Sequence, residues 1–99
     1  MGKQYSFLSK AYLVDVDEVS VRVSILMSDT TFKIEDLECV LYVKPGLISN
    51  GFIQIDDMRI TVRKWEHRRA KKLMAHLESL GLSVFCKTWR TLGYKYSEQ

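Results

Sequence analysis

The stretch from about Trp65 to Leu80 constrains the fold most, because Ala70, Leu73, Met74, Leu77 and Leu80 recur at helical spacing on one stripe. Gly81 and Leu82 follow in the pattern of a Schellman stop, with glycine in the left-handed position that ends a helix. A helix with one apolar stripe must lay that stripe on another apolar surface. The remaining candidate elements are mostly strands.

Tyr5 to Val14 is rich in aromatic and branched residues and reads as a first strand, with Asp15-Val16-Asp17-Glu18 as the turn after it. Val19, Val21, Val23, Ile25 and Met27 then alternate with polar residues, broken only by Leu26, as in a strand with one buried face. The short acidic turn makes these two segments an antiparallel hairpin. Phe52 to Ile55 and Met58 to Val62 flank Asp56-Asp57 and form a second hairpin, and Ser83 to Trp89 reads as a last strand.

Residues 33 to 43 support two readings. As a helix, Ile34, Leu37 and Leu41 share a face, Glu35 and Asp36 occupy the first turn, and Pro45-Gly46 stops it. As a strand, Cys39-Val40-Leu41-Tyr42-Val43 is a run of β-formers after a turn at Glu35-Asp36. The first reading gives a ferredoxin-like β-α-β-β-α-β order with an added N-terminal strand; the second lays one helix across a larger sheet. Both are α+β, with an antiparallel sheet of about four to six strands packed by one long helix in the C-terminal half. At 99 residues with 46% hydrophobic content, residues 1 to 99 suffice for one small domain and not two.

Charge is segregated along the chain. Residues 1 to 50 hold five basic side chains against seven acidic ones, net −2, and residues 51 to 99 hold ten against five, net +5. Six of those cations, Arg63, Lys64, Arg68, Arg69, Lys71 and Lys72, gather with a single carboxylate, Glu66, at the start of the helix. Cations there oppose the helix dipole, and Lys64 with Arg68 and Arg68 with Lys72 are like-charged pairs at i,i+4, each costing roughly 0.2–0.5 kcal/mol. Local stability does not account for them, whereas an anionic ligand would. Helical projection turns Arg68, Lys71, Lys72, Ala75 and Ser79 outward, a basic face with short side chains that a phosphate backbone or an acidic protein surface could approach.

The C-terminal segment interleaves aromatics with cations. If it is extended, Phe85, Lys87 and Trp89 share one face, and Arg90 and Tyr94 follow, a combination that offers base stacking beside phosphate contacts; core packing competes for Phe85 and Trp89. Met58-Arg59-Ile60-Thr61-Val62-Arg63-Lys64 lacks the glycine and aromatic pattern of an RNA-recognition module.

Other chemistries find less footing. Cys39 and Cys86 have no disulfide framework or zinc-ligand spacing and are expected as buried free thiols. His67 and His76 stand about half a turn apart around the helix, so they cannot share a metal or a proton, and each reads as an incidental surface histidine. No nucleophile elbow or phosphate-binding glycine loop is present in the sequence. The expectation is therefore a non-enzymatic module without cofactor or metal that binds nucleic acid, or alternatively an adaptor or inhibitor that docks on an acidic or nucleic-acid-binding surface of a larger protein. A cytoplasmic location and no membrane contact are expected, and an exposed sheet edge would let a second copy pair.

Overall fold

The computed structural model describes residues 3–46 and 48–87. The N-terminal half is a four-stranded antiparallel meander of β1 (Lys3–Phe7), β2 (Tyr12–Val16), β3 (Ser20–Ile25) and β4 (Ser28–Lys33). The second half adds β5 (Cys39–Val43), β6 (Gly51–Ile55), β7 (Met58–Val62), a helix α1 (His67–Ser79) and β8 (Ser83–Lys87). These strands form a second sheet in the order β7-β6-β5-β8, antiparallel except for the parallel pair β5–β8. The class is α+β, with the helix in the C-terminal half.

Two turns divide segments that the sequence presents as continuous. Residues 5 to 14 form two strands and not one, because Leu8, Ser9 and Lys10 all adopt positive φ and reverse the chain, with Ala11 N–H donating to the Leu8 carbonyl at 3.0 Å. Left-handed backbone costs a non-glycine residue roughly 1–2 kcal/mol, so no propensity rule places a turn there. The strand expected over Val19 to Met27 likewise stops at Ile25. Leu26, at φ 52°, and Met27 make a two-residue turn and are exposed, and Val19 is also outside the core. Between β2 and β3 the turn follows its local chemistry: the Asp17 carboxylate accepts from the N–H groups of Val19 and Ser20 at 2.9 and 2.8 Å.

Residues 39 to 43 are a strand, and Ile34–Asp36 is one 3₁₀ turn, which removes the second helix that a ferredoxin-like order needs. The strand wins because β6 and β8 flank β5 on both sides and take up its backbone groups, which a short amphipathic helix at this position could not match. The hairpin around Asp56-Asp57 forms as its sequence reads, with Asp56 at φ 57°. Gly51 is obligatory at the start of β6, since a Cβ there would lie 2.1 Å from the Val43 carbonyl oxygen.

One core joins all layers. Tyr5, Phe7, Val14, Val16, Val21 and Val23 from the first sheet meet Val40, Tyr42, Ile53, Ile55, Ile60 and Val62 from the second, and α1 adds Ala70, Leu73, Met74 and Leu77. Strand β1 lies against β7, which brings the two sheets edge to edge, and the helix packs on β1, β5 and β8. Helix α1 ends as its sequence predicts: Leu82 N–H donates to the Leu77 carbonyl, Gly81 N–H donates to that of Glu78, and Gly81 stands at φ 97°. Cys39 and Cys86 are exposed free thiols, not buried ones: Cys39 is the first residue of β5, on the face opposite Val40 and Tyr42, and Cys86 is on β8, the outermost described strand. No helix among the described residues is long and apolar enough to cross a membrane.

Leu73→Ala and Leu77→Ala should each lower the unfolding free energy by about 2–5 kcal/mol in denaturant titrations, since both side chains are fully buried. Gly51→Ala should cost about 1–3 kcal/mol by forcing β6 away from the β5 exit, measured the same way.

Candidate functional site

The start of α1 is organised by Glu66, which is 3% exposed at the end of a 3₁₀ turn, Lys64–Glu66. Its carboxylate accepts from the Leu8 N–H at 2.8 Å, from the Arg63 N–H at 3.0 Å and from the Arg63 guanidinium at 3.2 Å. Arg69 stands 3.8 Å from it and donates to the Ser6 carbonyl at 2.7 Å. Burial alone would raise the Glu66 pKa; the hydrogen bonds from Arg63 and Leu8 and the Arg63 charge outweigh it and hold the carboxyl below its ordinary value.

This changes the account of the cationic run. Arg63 and Arg69 do have a structural role, as partners of a buried carboxylate and of the β1–β2 connection. Arg68, Lys71 and Lys72 point away from the apolar stripe, are exposed and form no ion pair with any described residue. Lys64 is exposed at the first turn beside them. Lys87 closes β8 opposite Val43, while Trp89, Arg90 and Tyr94 lie outside the described residues. Phe85 is half-exposed on β8, so the core does not absorb it.

Both histidines are tied to tyrosines, contrary to the incidental reading. Tyr42 on β5 lies 2.7 Å from His67 Nδ1, and Tyr5 on β1 lies 3.1 Å from His76 Nδ1, so the helix is pinned at one end to each sheet. Burial, with a smaller contribution from Cys86, pushes the Tyr42 hydroxyl up to about 12. Burial, followed by the positive charges of Lys44 and Lys71, holds the His67 imidazole below its ordinary basicity. At neutral pH Tyr42 therefore faces a neutral imidazole, and the tautomer sets the direction: with the proton on Nε2 the Tyr42 hydroxyl donates to Nδ1, and with it on Nδ1 the ring donates to the Tyr42 oxygen.

An open cleft of about 440 Å³ lies between the β5–β6 connection and the first turn of α1, lined by Lys44, Pro45, Gly46, Lys64 and His67. No carboxylate of the described residues lines it. Trp65, next in sequence to Lys64, is 74% exposed, and the Arg63 guanidinium stacks over its ring at 4.8 Å. Lys44, His67 and Trp65 were not identifiable as site residues from spacing: Lys44 reads as the end of a segment before a Pro-Gly break, and only the packing of β5 beside α1 brings it to the lysines of the run.

The acidic segment Asp15–Asp17 is otherwise engaged. Asp17 caps its own turn and Asp15 pairs with Arg22 at 3.3 Å and with Gln4. Among the described residues, no three histidine, cysteine or acidic side chains gather as a metal site would require. No protein-family model, curated protein or solved structure matches this chain.

Glu66→Ala should cost about 3–5 kcal/mol, since it leaves a part-buried Leu8 N–H and the Arg63 charge without their acceptor; urea denaturation checks this. The depressed histidine sets the sign of a pH effect. As pH falls below 6.5, the ordinary His value, the unfolded chain takes up a proton before folded His67 does, so stability declines toward acid. Between about pH 8 and pH 5, His67→Gln should flatten that dependence in thermal melts.

Proposed function

We propose that the protein is a non-enzymatic module that binds nucleic acid mainly through its phosphates, using the basic surface built on the first half of α1. The observation that carries this reading is the outward trio Arg68, Lys71 and Lys72, which form no ion pair with any described residue, beside a cleft whose described lining is basic and not acidic. Uncompensated cations on a rigid element raise the local concentration of a polyanion and release counterions when it binds, the sequence-independent part of nucleic-acid affinity. Arg63 and Lys64 flank this surface, and Arg69 adds its charge while holding the Ser6 carbonyl. Lys87, Trp89, Arg90 and Tyr94 extend it in sequence with cations and stacking rings. Two free thiols and a nucleic-acid ligand fit a cytoplasmic setting.

A second reading, an adaptor or inhibitor docking on a larger protein, draws on a different observation. Leu26 and Met27 form a fully exposed apolar hairpin tip at the other side of the first sheet, a costly place for such side chains unless something covers them. Strand β4, the outermost of the first sheet among the described residues, would also accept a strand, from a partner or a second copy.

A salt-dependent titration with several unrelated oligonucleotides separates these readings. Affinity should fall steeply with salt, and the triple variant Arg68→Gln, Lys71→Gln, Lys72→Gln should reduce the log–log slope by about 2–3 while the melting temperature holds. Equal binding by parent and variant removes the helix face as the site. Absence of oligonucleotide binding at low salt, with Leu26→Ser abolishing capture of one protein partner, favours the adaptor.

A further inference from the structure

We propose that the cleft between the β5–β6 connection and α1 is a phosphate site for one nucleotide unit, with Lys44, Lys64 and His67 holding the phosphate and the Trp65 indole stacking the attached base. The proposal deepens the nucleic-acid reading and rests on it for the source of the phosphate, but the site itself stands on local geometry.

Three basic side chains from two separate stretches of chain line one open cleft, and no carboxylate of the described residues lines it. The positive fields of Lys44 and Lys71 both bear on His67 and disfavour its protonation, so the potential at this end of the cleft suits an anion. In the tautomer with the proton on Nε2, Tyr42 donates to Nδ1 and the neutral imidazole is a donor to an oxyanion without prior protonation, the form that a bound phosphate selects. That hydrogen bond also fixes the ring, since Tyr42 is wholly buried. The cleft volume accommodates a phosphate and leaves room for the sugar that joins it to a base. Trp65 follows Lys64 directly; Arg63 covers one ring face, and the high exposure leaves the other to a base.

Binding is read on the full chain by NMR and fluorescence. Inorganic phosphate at low salt should give saturable shifts at the His67 ring and the Gly46 amide. Lys44→Ala should weaken this binding at least tenfold, whereas Lys33→Ala on the first sheet should leave it unchanged. In a Trp89→Phe background a 5′-mononucleotide should quench the Trp65 emission and bind roughly tenfold tighter than phosphate, an advantage that Trp65→Ala removes. Lys44 and Trp65 are exposed, so unchanged melting temperatures verify that the variants fold.

Non-saturating shifts spread over every lysine neighbourhood, or phosphate binding unaffected by Lys44→Ala, overturn the site. Equal affinity for phosphate and mononucleotide, without quenching, overturns the stacking role of Trp65. If phosphate and mononucleotide behave as expected while oligonucleotides bind no tighter than the mononucleotide, the cleft stands as a nucleotide-phosphate site and the broader nucleic-acid reading fails.

Discussion

A buried carboxylate at the head of α1 is the interaction on which the other parts depend. Glu66 joins three separate stretches of chain, the β1–β2 turn through Leu8, the end of β7 through Arg63, and the helix through its own backbone. A buried charge is tolerable only when its lone pairs are occupied, and here backbone donors and the Arg63 guanidinium occupy them. The strained run Leu8-Ser9-Lys10 makes sense in this light. Its left-handed backbone is held because the Leu8 N–H is fastened to the helix start. The negative charge also lies where the helix dipole favours it, which offsets part of the repulsion among the neighbouring cations.

From this anchor α1 acts as a bridge between two sheets that meet at the β1–β7 edge and share a common core. Its apolar stripe seals the inner faces, and the paired hydrogen bonds Tyr42–His67 and Tyr5–His76 set its rotation against each sheet. Rotation matters for function because it decides which cations are consumed. Arg63 and Arg69 turn toward β1 and become structural, and Arg68, Lys71 and Lys72 are left facing solvent. The same rotation sets His67 between Lys64 and Lys44. A basic surface and a basic cleft thus arise from one docking geometry, and the sharp outward charge is a by-product of a well-fixed helix.

The remaining surface is uneven. The outer face of the first sheet is polar, with Gln4, Asp15 and Arg22 linked across its strands. The Leu26–Met27 tip is its exception. On the second sheet the Arg59 guanidinium covers Phe52 at 4.5 Å, which shields an aromatic ring on the face away from α1. Half-exposed Phe85 stands in register beside Leu41 on that same face.

Sequence by itself determined the elements whose information is local. The stripe from Ala70 to Leu77 and the Gly81-Leu82 stop are set by i,i+3 and i,i+4 neighbours and by glycine's access to positive φ, so α1 and its termination were legible, as was the outward direction of Arg68, Lys71 and Lys72. The Asp56-Asp57 hairpin was legible for the same reason, and so was the excess of positive charge in the second half. Tertiary structure alone decided the rest, because the deciding partners are distant in sequence. Residues 39 to 43 carry helix and strand signals of similar strength, and pairing with β6 and β8 selects the strand. The turn at Leu26-Met27 contains no turn-forming residue type and the one at Leu8–Lys10 only Ser9, and their positions follow from strand register and, for the first, from Glu66. The split of the cations into structural and free, the tyrosine partners of both histidines, and the meeting of Lys44 with Lys64 and His67 all depend on how α1 lies across β1 and β5. That docking is set by shape and burial across the whole core, which no local pattern encodes.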